Sequence, residues 1–189
     1  MQPTRKFVIT RSLACLIAAA TLGCASSSSS PATKSAEAPG GGEPNGSGKT
    51  LDISLPNIDG EEITLASRRD TDIFVLSFWA IWCTPCQAEL SKLDPVYQAM
   101  KDRGLHVYGI SIDGPDTAAQ VPSWARREGY TMPILLDRET EVLARFNPSG
   151  DIPFYVVLDA NGTVLKTHQG YVDGDVKILE DFLDERLPK

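Results

Sequence analysis

Trp79-Ala80-Ile81-Trp82-Cys83-Thr84-Pro85-Cys86 is entered from an apolar run and left by a helical pattern, so it sets two thiols at a strand-to-helix junction. The run Ile73-Phe74-Val75-Leu76-Ser77-Phe78-Trp79 is β-branched and aromatic and almost free of polar groups, which predicts a central strand buried on both faces. Beyond the cysteines, Leu90, Leu93, Val96, Tyr97 and Met100 recur at helical spacing. Cys83 therefore falls at or just before the first helical turn, where unsatisfied backbone N–H groups and the macrodipole favour a thiolate. Cys86 follows one turn later. A spacing of three brings the sulfurs side by side, so the pair can cycle between dithiol and disulfide without large backbone movement.

Other uses of the pair fit less well. A disulfide closing a four-residue loop gives about 2 kcal/mol by the chain-entropy relation, so this spacing is a poor brace for a fold. Zinc takes roughly four ligands, and the remaining candidates Cys15, Cys24, His106 and His168 form no paired motif. Redox chemistry is the expectation, with the Cys83/Cys86 couple as its own redox group and no further cofactor or metal.

The chain has 189 residues, and the first 49 differ in composition from the rest, leaving one domain at 50–189. Loss of Arg5, Lys6 and Arg11 with a leader takes 18 basic residues to 15 against 25 acidic ones, a net charge of −10. Nucleic acid is thereby disfavoured as a partner. Met1 to Arg11 carries basic residues and no acid, and Ser12 to Gly23 is small and apolar, the layout of a signal peptide over 1–23. A membrane span needs ~20 apolar residues, which Arg11 and the serine tract do not leave room for. Residues 24–49 are Ser, Gly, Pro and Ala with scattered charge, a disordered tether of roughly 30 Å r.m.s. reach if it behaves as a Gly/Ser coil.

Along the domain, Leu51 to Leu55 and Glu62 to Leu65 alternate around Pro56-Asn57-Ile58-Asp59-Gly60, a hairpin expected at the periphery. Further elements are expected at Leu105 to Ile112 (strand), Asp116 or Thr117 to Glu128 (helix), Met132 to Leu136 (strand) and Glu139 to Phe146 (helix). Phe154 to Leu158 and Thr163 to Thr167 flank Asn161-Gly162, a strong hairpin signal, and an amphipathic helix from Asp173 to Leu187 closes the chain. Strands alternating with helices, then a terminal hairpin and helix, predict an α/β fold with a mixed sheet covered on both faces.

Phe78-Trp79-Ala80-x-Trp82-Cys83-x-Pro85-Cys86, the strand before it, Asp151-Ile152-Pro153 and the closing hairpin and helix resemble the thioredoxin superfamily. The opening hairpin, Ser111-Ile112-Asp113 and Pro133-Ile134-Leu135-Leu136-Asp137 resemble its TlpA/ResA-like branch of membrane-tethered, extracytoplasmic thiol-disulfide oxidoreductases. The resemblance implies a thioredoxin fold with an N-terminal hairpin over residues 50 to 187. It further implies a dithiol reductant of protein disulfides, with apocytochrome c as one substrate and a membrane thiol-disulfide protein as electron donor. Thr21-Leu22-Gly23-Cys24 resembles a lipobox, with Thr21 and Leu22 off the usual pattern, and implies Cys24 as a site of lipid attachment on the periplasmic side of a bacterial membrane. Secretion with cleavage at a nearby small residue is the alternative.

Cys83 is the expected attacking thiol and Cys86 the resolving one. The resemblance marks Ile152-Pro153 as a cis-proline site facing the active-site turn, with Ile152 as a backbone contact for substrate. Trp82 is either a packing residue or an exposed substrate contact. Cytoplasmic thioredoxins carry a buried Asp where this chain has Ser77, and serine cannot act as a base at neutral pH. Glu89 matches a glutamate of ResA-like proteins near the disulfide; a solvated helix glutamate is the competing reading. A peroxiredoxin signature would require proline at Leu76 and threonine at Ala80. A dithiol oxidase and a copper-delivery module, the latter drawing on His168, remain as alternatives.

Overall fold

A hairpin of β1 (Lys49–Pro56) and β2 (Glu62–Ser67) opens the part of the chain, residues 49–189, that a computed structural model describes. The leader at 1–23, the tether up to residue 48 and Cys24 lie outside the described residues. After the hairpin come β3 (Ile73–Trp79), α1 (Thr84–Met100), β4 (Leu105–Ser111), α2 (Val121–Glu128) and β5 (Ile134–Leu136). The chain continues through α3 (Glu141–Phe146), β6 (Phe154–Asp159), β7 (Val164–Gln169) and α4 (Asp175–Asp184). The main sheet runs β5-β4-β3-β6-β7, with β3, β4 and β5 parallel and β6 and β7 antiparallel to their neighbours. The apolar run is thus the middle strand, and all seven of its residues are buried.

Because side chains alternate along a strand, β3 feeds two cores. Val75 and Trp79 meet Leu90 and Leu93 of α1 and Leu179 and Leu183 of α4. Phe74, Leu76 and Phe78 meet Leu51, Ile53, Leu55 and Leu65 of the hairpin and Val142 and Leu143 of α3. The opening hairpin is therefore not peripheral: its apolar alternation supplies much of the cover for the second sheet face. Leu65 is fully buried there, so Leu65→Ala is expected to cost about 2–5 kcal/mol in urea unfolding, the range for a core leucine.

Three boundaries differ from expectation. The segment from Asp116 splits into a 3-10 turn at Ala118–Gln120 and α2, since Pro122 lacks an N–H and suits only the first turn of an α-helix. Pro133, for the same reason, stays outside β5. The closing helix ends at Asp184, and Arg103 ties down the last residues of the chain through bonds to Asp184 Oδ1 (2.7 Å) and the Pro188 carbonyl (2.7 Å). Pro95 is accommodated inside α1. Its neighbour Asp94 accepts the N–H groups of Thr131 (2.8 Å) and Met132 (2.9 Å), fastening the helix to the chain entering β5.

Candidate active site

Cys83 is the N-cap of α1 and Pro85 sits in its first turn, so helix entry and thiol placement come from one short segment. Cys83 Sγ accepts the Cys86 N–H at 3.3 Å, and the two cysteines are joined in a disulfide with Cα atoms 5.3 Å apart. Cys83 keeps 6% of its surface exposed and Cys86 1%. A second protein therefore meets the Cys83 sulfur first, the one that also feels the helix N-terminus.

The turn leading to Cys83 is held from below. Asp113, buried just past β4, accepts the Ile81 N–H (3.0 Å) and the Ser111 hydroxyl (2.9 Å) on Oδ2, while Oδ1 has no partner among the described residues. Gln87 Nε2 donates to the Ile81 carbonyl (2.6 Å), and the Trp79 carbonyl accepts the Ile112 N–H (2.9 Å). Asp113 is a positioning residue that sequence reading noted only as part of a motif. Losing a hydrogen bond to a buried charge costs about 1.5–3 kcal/mol. Asp113→Ala should therefore lose at least that much in denaturant unfolding, and Asp113→Asn, whose amide oxygen can still accept the Ile81 N–H, distinctly less.

The two tryptophans divide. Trp79 is fully buried, its ring 4.7 Å from that of Trp124, whereas Trp82 is 63% exposed beside Cys83 and so takes the surface reading. Ile152–Pro153 is a cis peptide. Phe154 pairs with Phe78, so Pro153 lies level with Trp79, where the cysteine turn begins. The Pro153 carbonyl is taken by the Gly170 N–H (2.8 Å) and Gln169 Nε2 (3.0 Å), and neither bond uses the backbone of Ile152.

Glu89 is buried, 1% exposed, on the stripe of α1 that carries Cys86, Leu90 and Leu93 against the sheet. The solvated-helix reading is thereby corrected. Residues three apart on a helix have Cβ atoms about 5–6 Å apart, so Glu89 is the next side chain along from Cys86 on the buried face. The Ser77 hydroxyl donates to Glu89 Oε1 at 2.7 Å, and Oε2 has no partner among the described residues. Burial pushes the Glu89 carboxyl up to about 7; the Ser77 bond opposes the rise and the charge of Asp175 adds to it. The Ser77 hydroxyl thus holds the Glu89 carboxyl in place. Gly109 of β4 leaves room for the Ile134 and Trp79 side chains: a Cβ there would meet Ile134 Cδ1 at 2.7 Å and Trp79 Nε1 at 3.4 Å.

His168 Nε2 lies 3.1 Å from Asp175 Oδ2, so this nitrogen is engaged away from the thiols. Among the described residues no three His, Cys, Asp or Glu side chains come together to hold a metal ion. Nor, among them, is any helix long and apolar enough to cross a membrane.

Residues 48–167 match the AhpC/TSA family. The thiol-disulfide oxidoreductase ResA of Geobacillus kaustophilus is 33% identical over 113 residues, 60% of this chain and 63% of that protein, so the chain spans a little under two thirds of the relative's length. A putative thiol:disulfide interchange protein DsbE from Chlorobium tepidum superposes with a TM-score of 0.63 at 22% identity, over 75% of this chain and 97% of that one. The pneumococcal exposed lipoprotein thioredoxin of Streptococcus pneumoniae gives 0.58 at 26% identity, over 70% and 98%. These structures share the thioredoxin fold.

Proposed function

Because this chain belongs to the AhpC/TSA family, in its thioredoxin-like form, we propose that it is a thiol-disulfide oxidoreductase that reduces protein disulfides through Cys83 and Cys86. The observation that carries this reading is the sulfur at the N-cap of α1, with its partner one turn inward and a buried carboxyl next along the same face. In the reductive direction the Cys83 thiolate attacks one sulfur of a substrate disulfide and expels the other as a thiolate, which takes up a proton. Cys86 then loses its proton to Glu89 and attacks Cys83 Sγ, releasing the second substrate sulfur. Two electrons pass from the dithiol to the substrate and the Cys83–Cys86 disulfide is left. A thiol-disulfide protein of the membrane restores the dithiol.

The N-terminal leader and lipobox-like Cys24 support an extracytoplasmic protein tethered by lipid, and the pneumococcal relative is itself described as an exposed lipoprotein. Exposed Trp82 and the backbone of Ile152 beside Pro153 offer an extended substrate segment an apolar contact and a strand-like edge. Apocytochrome c, whose haem-binding cysteines must be reduced, is a substrate of the right chemistry. A peroxiredoxin reading fails on the residues: Leu76 and Ala80, both fully buried, stand where its proline and threonine would be.

The deciding measurement is the reduction potential of the Cys83/Cys86 couple. A value below about −230 mV supports the reductant, and one near about −120 mV would turn the assignment to a dithiol oxidase. Tight stoichiometric copper uptake by the reduced protein would favour the copper-delivery alternative instead.

A further inference from the structure

Trp82 and Cys83 stand together in the turn before α1, and Gln87 of that helix holds the chain on both sides of Trp82. The Gln87 backbone N–H donates to the Cys83 carbonyl at 3.1 Å, and its side-chain Nε2 donates to the Ile81 carbonyl at 2.6 Å. A carbonyl only accepts, so the amide nitrogen of Gln87 and not its oxygen faces Ile81. The Ile81 carbonyl belongs to the planar peptide that carries the Trp82 nitrogen, and the N–H of Ile81 is fixed by Asp113 Oδ2 at 3.0 Å. Cys83 in turn donates its N–H to the Ala80 carbonyl at 3.1 Å. Among the described residues Trp82, with most of its surface exposed, has no hydrogen bond or ring stack of its own. Its place therefore comes from the two residues that flank it, and both are bonded to Gln87.

We propose that Gln87 is a positioning residue that fixes Trp82 beside Cys83 and so favours protein disulfides over small ones. The part concerning substrates rests on the function proposed above. Cys83 and Pro85 set the start of α1, but the Ile81–Trp82 peptide lies before the helix begins, and the Gln87 side chain ties it to α1. A protein disulfide is carried on a large body that meets Cys83, Trp82 and the Ile152 edge in one relative arrangement, so freedom in the turn counts against each productive encounter. A small disulfide needs the Cys83 sulfur alone and approaches it in many orientations. The redox step is the same for both: the Cys83/Cys86 dithiol gives two electrons and two protons, its own sulfurs become bonded, and the substrate disulfide is split into two thiols. Discrimination thus lies in how Trp82 is held and not in the chemistry of the sulfurs.

Two substitutions at this half-buried position separate the role from a general effect on the fold. Gln87→Met keeps the length and helix propensity of the side chain but has no donor. Gln87→Glu keeps the shape, turns an acceptor toward the Ile81 carbonyl, and places a negative charge near the start of α1, where charge of that sign favours the helix. In the oxidised full-length protein, amide hydrogen exchange at Ile81 and Cys83 is expected to quicken by about 2- to 10-fold in Gln87→Met, the span of one neutral hydrogen bond, and by no less in Gln87→Glu. Val156 and Val157 of β6 should keep their wild-type rates in both. Exchange unchanged at Ile81 and Cys83 in either variant, or raised equally in β6, would overturn the positioning role. The substrate part is read from single-turnover oxidation of the reduced protein by insulin and by glutathione disulfide. In Gln87→Met the ratio of the insulin rate constant to the glutathione one is expected to fall by about 3- to 10-fold from wild type, and an unchanged ratio would overturn the preference. A wild type that reduces neither disulfide would sink the proposed function, and exchange in the oxidised protein would still decide whether Gln87 holds the turn.

Discussion

Cys86→Ser is expected to accumulate mixed disulfides with substrate proteins through Cys83, visible on non-reducing gels and released by dithiothreitol, while Cys83→Ser accumulates none. Turnover on a model protein disulfide should fall to the uncatalysed rate in both. The asymmetry comes from placement. Cys83 caps α1 and keeps some surface, so its thiolate is favoured by the helix N-terminus and can be reached by a second protein. Cys86, at 1% exposure, reaches only a sulfur already bonded to Cys83. Equal trapping by the two variants would remove the assignment of attacking and resolving roles.

Glu89→Gln is expected to change both the pH dependence of stability and the rate. In the folded protein Glu89 has its carboxyl raised from 4.5 to about 7, so folding takes up a proton between those values. Linkage gives the sign: the stabilising contribution of a raised acid is fully present below its unfolded pKa and is lost as pH rises through the folded one. Oxidised wild type should therefore lose about 3 kcal/mol relative to Glu89→Gln between pH 4.5 and pH 8, read from urea midpoints of the two proteins across that range. In the reduced protein, removing the charge should lower the pH at which Cys83 becomes alkylated. Turnover should fall by about 10² where Glu89 exchanges the proton of Cys86, within the span of general acid–base catalysis. Alkylation and turnover curves that overlay wild type at every pH would leave Glu89 a buried structural acid.

What the sequence determined by itself is what depends on near neighbours in the chain. The run Ile73–Trp79, apolar except for Ser77, became the fully buried middle strand, since no other position in a sheet accepts such a run without exposing it. Cys83 at the helix cap, the Asn161-Gly162 hairpin and the cis bond before Pro153 were legible from residue type, short spacing and family resemblance. The tertiary structure decided what depends on which surfaces meet. Glu89 lies at helical spacing from Cys86 but borders the polar face of α1, and only the packing of α1 against β3 buries it over Ser77, twelve residues away. The contact from Asp113 to Ile81 spans 32 residues, and the opening hairpin joins the core only because the β3 face beneath it is apolar. His168, Tyr155 and Ser77 come from three strands, and nothing local to any of them specifies the register that sets them in one row. Periodicity and capping act within about a turn or a strand, whereas the environment of a buried charge is set by elements that meet only after the chain has folded.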